Sequence, residues 1–448
     1  MKTTLIQDAC IVNEGQMFQG SVLIKGERIV CIYKGDDTPS LSVMESLDEI
    51  IDARGKYLIP GLIDTHVHFR DPGLTHKADM ESESRAALAG GVTSFIDMPN
   101  TVPQTTSLQA WQDKMAYAAT HAKANYAFYM GATEDNFDEL AKADYTKVPA
   151  VKLFMGSSTG NMLVDADASL KRIFAELPAL IAVHCESEAL IQANKAKYIA
   201  EAGEDLTVAY HSKIRDEEVC FQSSERAVRL AREYGTRLHL LHVSTQKELS
   251  LLEAGDLQDK KITAETCPHY LWLSDEDYIR YGSLIKCNPA LKHPSDRAAL
   301  LDALRMGLID TLGSDHAPHL LSEKQGNALT AVSGCPSIQF NLLLMMEFVN
   351  QEMLEMSTLV EKFCHAPATL YRIQDRGFIR EGAYADLVLV EPEQWTLTKA
   401  DILSKCAWSP YEGWTFSHRV SCVFLNGSKA YEAGRFYEAQ AKNLIFKN

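Results

Sequence analysis

Two histidines one residue apart, His66 and His68, end the apolar segment LIDTHVHF (62–69). A strand puts alternate side chains on one face, so these imidazoles stand about 7 Å apart along the chain, close enough to grip one metal ion. Other apolar segments end in residues of the same chemistry: Lys152 in AVKLFMGS, His184 in LIAVHCES, His242 in RLHLLHVST and Asp315 in DTLGSDHAPH. Singly, each has a plain structural explanation. A lone strand histidine is usually a satisfied core or surface residue, and His121, His211, His239 and His418 are assigned to that background. Lys152 alone would be a lysine whose stem lies along a strand end. Together, in one register at the ends of five segments, these residues point to a metal centre.

A lysine among histidine ligands needs its own chemistry, because an ammonium cannot ligate a cation and ligands must be deprotonated. Carbamylation by CO₂ would turn the amine into an anionic carboxylate that bridges two ions. Two ions about 3.5–4 Å apart share a hydroxide whose parent water titrates near neutrality. On this reading His66 and His68 hold one ion, His184 and His242 the other, and Lys152 bridges them. Asp315 faces the hydroxide as acid and base and touches the first metal. Imidazole with carboxylate suits Zn²⁺, with Co²⁺ and Mn²⁺ as alternatives.

The elements that must position these groups alternate. From 59 to 375, apolar strands ending in polar residues are followed by helical patterns such as DMESESRAALAG, SLQAWQDKMAYAATHA and QKELSLLEAG. Eight such units predict a closed (β/α)8 TIM barrel, which carries its chemistry at the carboxyl ends of its strands. No GxGxxG follows a strand, so a dinucleotide-binding open sheet has no support. Both ends of the chain differ from this middle. TLIQDACIV, SVLIKGERIVCIYKG, ADLVLVEP and the Asn426-Gly427 hairpin read as short strands, predicting a small β-sandwich domain made from 1–58 and 376–448.

Composition narrows the function classes. The chain has 448 residues, 46% hydrophobic and 23% charged, with 44 Lys+Arg against 60 Asp+Glu for a net charge of −16. That balance argues against disorder and against nucleic-acid or anionic-membrane partners. The longest clean apolar run, 342–346, is far short of the roughly 20 residues a membrane helix needs. Asp8 and Glu14 break the stretch a signal peptide would keep apolar, and ten cysteines without a CxxC pair suit a reducing cytosol. A cytoplasmic enzyme is expected.

The motifs PGLIDTHVHFRDPG (60–73), IDMPNT (96–101), VKLFMGSSTG (151–160), VHCES (183–187), LHVST (241–245), CNPALK (287–292) and GSDHAPH (313–319) resemble the amidohydrolase superfamily, and within it the dihydroorotases, over essentially the full length. The resemblance implies reversible interconversion of dihydroorotate and N-carbamoyl-aspartate in pyrimidine biosynthesis, with two Zn²⁺ per subunit. It also implies either a carboxylated Lys152 as the bridge or, as in other members, an aspartate after the fourth strand, for which Asp165 and Asp167 compete. The substrate carboxylate needs a charge-assisted, preferably bidentate partner. Arg70, on the same side as His68, is placed for it, with Asn100 and His319 as further donors and Asn288 on the ureide ring. Backbone near Ala331 and Val332 would complete the pocket, although SGCPSIQF departs from the family pattern. Three alternatives stay open: a surface salt bridge from Arg70 to Asp71, an allantoinase or hydantoinase activity, and an inactive subunit that scaffolds a transcarbamoylase. A homo-oligomer and association with aspartate transcarbamoylase are further implications. WSPYEGW (408–414) would pack on the barrel or on another subunit.

Overall fold

The computed structural model describes residues 1–156, 162–203 and 205–447, so the SSTG end of VKLFMGSSTG lies outside the described residues. Eight parallel strands form the barrel: Leu62–Val67, Val92–Asp97, Asn125–Phe128 continued by Met130–Gly131, Val151–Phe154, Ile181–His184, Leu238–Leu240, Ile262–Thr266 and Thr311–Leu312. The first two are buried along their whole length, as parallel strands covered by helices must be. The circle closes between the first and eighth strands, where His68 N–H donates to the His316 carbonyl at 2.8 Å and Val67 bridges His316.

The helices begin and end where their caps dictate. Asp79 and Ser82 form a capping box ahead of Met80–Ala89. The helix Glu217–Tyr234 starts at the Asp216 carboxylate and stops at Gly235, whose φ of 70° only glycine adopts cheaply. QKELSLLEAG yields only the 3₁₀ stretch Lys247–Leu251 in place of the expected helix. Its Glu248 is turned inward, and the hydroxyls of Ser224 and Thr245 donate to the buried carboxylate. Two helices the sequence pattern did not single out, Glu188–Ala202 and Tyr210–Ile214, make a cap after the fifth strand.

The two chain ends meet in a nine-stranded sheet. Thr3–Asn13 pairs with Gln16–Lys25, Glu49–Asp52 and Tyr57–Pro60, and Tyr57–Pro60 in turn pairs antiparallel with Leu387–Thr396. Asn426 and Gly427 turn the hairpin between Thr415–Leu425 and Ser428–Glu432 with φ of 48° and 75°, as a type I′ turn requires. The strands run as one continuous sheet. Between its strands the chain returns to the barrel, where the Trp408 indole N–H donates to the His319 carbonyl at 2.7 Å and that of Trp414 to the Tyr281 hydroxyl at 3.0 Å. WSPYEGW therefore packs on the barrel of its own chain. No helix among the described residues is long and apolar enough to cross a membrane, and all ten cysteines are free.

Candidate active site

A cavity of about 230 Å³ opens at the carboxyl ends of the barrel strands. The expected ligands His66, His68, Lys152, His184, His242 and Asp315 line it, with Arg70, Asn100, Asn288 and His319. Three of them leave their strands in the left-handed region, Arg70 at φ 65°, His242 at 40° and Asp315 at 46°. Such backbone costs on the order of 1–3 kcal/mol outside glycine and persists where surrounding bonds over-determine it. At Asp315 the bonds come from Asp64 through the neighbouring Ser314, and at His242 from Glu265, which accepts its backbone N–H at 3.4 Å. Asp64 Oδ1 accepts from the backbone N–H of His66 at 3.1 Å and of Ser314 at 3.0 Å, and the Ser314 hydroxyl donates to the His66 carbonyl.

The tautomers follow from the partners. His66 Nδ1 lies 2.7 Å from the Glu265 carboxylate and His68 Nδ1 lies 2.8 Å from Asn100 Oδ1. Both partners only accept, so both Nδ1 atoms carry the proton and both Nε2 atoms present lone pairs. Those Nε2 atoms stand 3.3 and 3.2 Å from one oxygen of Asp315. Three electron-rich atoms thus converge, all within 4.8 Å of one another, and a cation is what resolves such a meeting.

The second pair is built alike. Glu186 accepts from His184 Nε2 at 3.0 Å and is itself held by Arg215, which leaves His184 Nδ1 facing His242 Nε2 at 2.9 Å. His242 Nδ1 is buried without a partner. Burial lowers the pKa of His68, His184 and His242, which favours the neutral, ligating form. Burial works against the Asp315 carboxylate, yet positive charge on His66, His68 and His242 holds it well below the usual range, the place a bound cation would take once the imidazoles are neutral. Lys152 is buried, and desolvation pulls its ammonium down to about 7. Asp165 and Asp167 lie outside the cavity, on the surface, in ion pairs with Arg226 at 2.5 and 2.6 Å.

The anion-binding residues differ in detail from the sequence expectation. Arg70 does not pair with Asp71, whose carboxylate instead accepts from Met80 N–H at 3.0 Å. The buried Arg70 guanidinium donates through Nε to the Pro318 carbonyl at 3.0 Å and touches His319 Nε2 at 2.9 Å. His319 has Lys77 at 3.2 Å on its other side, so the ring stands between two cationic groups and accepts from one of them. Asn100 likewise spends its carbonyl oxygen on His68. Asn288 Oδ1 is buried without a partner. The carbonyls of Ala331 and Val332 are taken by Lys286 and Lys324, and the cavity wall there runs through Val332, Ser333 and Gly334.

Sequence reasoning missed Glu265 and Glu186, the carboxylates that fix the histidine tautomers. Their signal was legible, since each is an acid at the end of a strand or run otherwise buried and apolar (ITAET, VHCES).

A model of the amidohydrolase family matches residues 57–429. The chain belongs to the amidohydrolase family. An allantoinase from Bacillus velezensis is 30% identical to this amidohydrolase over 436 residues, 96% of this chain and 94% of its own. A dihydroorotase from Halobacterium salinarum is 34% identical over 370 residues, 81% of this chain and 84% of its own. The solved L-hydantoinase (dihydropyrimidinase) from Arthrobacter aurescens superposes with a TM-score of 0.92 at 28% identity, covering 99% of this amidohydrolase and 100% of that chain. The family and the barrel with its terminal β-sheet domain agree with the sequence expectation.

Proposed function

We propose that this amidohydrolase hydrolyses cyclic amides and that its substrate is dihydroorotate, opened reversibly to N-carbamoyl-aspartate. The observation that carries the reading is Arg70, a guanidinium buried in the cavity with burial lowering its pKa to about 10. Its bonds go to a carbonyl and an imidazole, and a desolvated cation so placed calls for an anionic ligand. Dihydroorotate brings a free carboxylate; hydantoins, allantoin and dihydrouracil do not.

The donor set fits a pair of divalent cations, zinc foremost, with His66, His68 and Asp315 for one and His184 and His242 for the other. Lys152 suits the bridge, because an amine titrating at about 7 is substantially neutral at physiological pH and adds to CO₂, forming an N–C bond and releasing a proton to give a carbamate. Such a pair, when bound, polarises the ring carbonyl and makes water nucleophilic at neutral pH. Asp315, held ionised, accepts the proton of the attacking water and delivers it to the leaving ring nitrogen. Arg70 holds the substrate carboxylate, and Asn288 offers its unpartnered carbonyl to a ring N–H. In the closing direction the same groups act in reverse.

The full-length similarity to an allantoinase and the fit to a hydantoinase support a second reading, a neutral-ring hydrolase. Turnover of dihydroorotate, allantoin and dihydrouracil by the metal-loaded protein separates the two. Dihydroorotate is expected to be the preferred substrate; preference for either neutral ring overturns the assignment.

A further inference from the structure

One charged residue beside the cavity has no part in the chemistry so far. Lys324 ends the 3₁₀ stretch Leu321–Lys324 and is 0% exposed. The charged and titratable neighbours that bear on it are Arg70, Lys286, His319 and the thiols of Cys335 and Cys287, with no carboxylate among them. Its three ammonium N–H groups donate to three backbone carbonyls, those of Lys286 and Val332 at 2.9 Å each and of Gly334 at 2.8 Å. An ammonium has three donors, so the group is satisfied with no counter-charge. The Trp408 ring covers it at 5.8 Å.

Those carbonyls belong to two different loops. Lys286 stands two residues before Asn288, which lines the cavity, as do Val332 and Gly334. The loops are tied again by Gly334 N–H donating to the Lys286 carbonyl at 2.8 Å, and by the Lys286 ammonium donating to the Ala331 carbonyl. Little slack remains. A Cβ on Gly334 would stand 2.7 Å from the Ala317 carbonyl oxygen and 2.9 Å from His319 Cδ2.

We propose that Lys324 is a positioning residue that clamps the Asn288 loop to the 332–334 backbone and so fixes the wall against which the substrate ring binds. The inference rests on the cyclic-amide reading. It gives WSPYEGW a purpose, since Trp408 roofs the clamp from a segment of the terminal domain. The reacting groups hang on other strands and are tied by Asp64, Glu265 and Glu186, so the clamp acts on ring binding rather than on proton transfer. A loss of that kind raises KM and leaves kcat nearly unchanged.

Lys324→Met keeps the stem, takes the ammonium donor from the Val332 and Gly334 carbonyls and leaves the Lys286 carbonyl only the Gly334 N–H. The expected result is a KM for dihydroorotate about tenfold higher or more, with kcat within about threefold. Backbone amide exchange should accelerate at 286–288 and 331–335 and stay unchanged in the barrel strands. Lys324→Gln, which keeps part of the donor set, and Gly334→Ala, which displaces the same loop from the other side, should raise KM in the same way, so the outcome does not hang on one variant folding. An unchanged KM in the folded variants, or a fall in kcat alone, overturns the clamp. If the wild-type protein turns over none of the three ring substrates, the functional reading fails instead, and the exchange of the two loops still decides the clamp.

Discussion

The barrel interior holds two polar layers a few residues apart, and only the upper one is a site. In the lower layer His239 is as buried as any ligand histidine, but its Nδ1 donates to the Thr263 hydroxyl at 2.9 Å and its Nε2 faces the Thr311 hydroxyl at 3.4 Å. Tyr129 and Tyr371 pair at 2.6 Å, and Tyr129 also donates to the Thr65 carbonyl at 2.8 Å. Every partner there is a neutral hydroxyl or carbonyl. One layer of side chains higher, histidine lone pairs meet a carboxylate, the Arg70 guanidinium makes no ion pair among the described residues, and His242 Nδ1 and Asn288 Oδ1 have no hydrogen-bond partner there. Buried polarity alone therefore does not mark function. Polarity whose satisfaction requires something the chain does not contain does.

The contrast can be broken most severely from above. Asp315→Asn removes the proton acceptor and should cost about three decades in kcat, within the range of general acid–base catalysis, while the fold persists. His242→Ala should lose one metal equivalent by elemental analysis and nearly all turnover. Retained metal and rate would remove the residue from the site. Lys152→Ala should likewise lose activity, part of which a short carboxylic acid supplied in the assay restores; no restoration with any such acid would speak against the carbamate.

Arg70→Met sharpens the comparison by substrate. An unpaired buried charge costs about 3–5 kcal/mol, so turnover of dihydroorotate should fall about two to four decades. Slow hydrolysis of dihydrouracil should hardly change. Equal losses on both substrates would make Arg70 structural and favour the neutral-ring reading.

The smallest effect belongs to the lower layer. Burial holds the His239 imidazole down at about 4, against about 6.5 in an unfolded chain. A depressed pKa means that its contribution is intact above about pH 6.5 and is lost as pH falls through about 4, because only the unfolded state takes up the proton in that window. The gap is worth about 3 kcal/mol at 1.36 kcal/mol per pH unit. His239→Leu should flatten the acid limb of the stability curve and leave kcat at pH 8 within about twofold. An unchanged acid slope in denaturation between pH 6.5 and 4 would refute it.

How far the sequence could be read follows the same division. The barrel was legible because buried parallel strands write themselves as apolar runs with a polar end. The ligands were legible because those polar ends recur in register. The cap Glu188–Ala202 was not, since only Ile191 of that helix is buried and its apolar periodicity is correspondingly faint. QKELSLLEAG misled for the opposite reason: its helical pattern was real, but Glu248 found better partners inside. The orientations of Asn100 and His319 were out of reach, because pointing at a histidine or an arginine rather than at a ligand is decided by neighbours far away in the chain.

The seam between the first and eighth strands has a consequence for how the molecule fails. The eighth strand is only Thr311–Leu312, and the bonds that complete the cylinder beyond it run from Asp64, His66 and His68 to Ser314 and His316. The hoop is fastened by the same few residues that do the chemistry. Opening the fastening parts His66 and His68 from Asp315 at once, so a partly unlatched barrel loses the whole donor set of one ion while His184 and His242 stay together at the ends of strands away from the joint. Heat inactivation and loss of barrel structure should then be one event, and a bound ligand acts as a rivet through the joint.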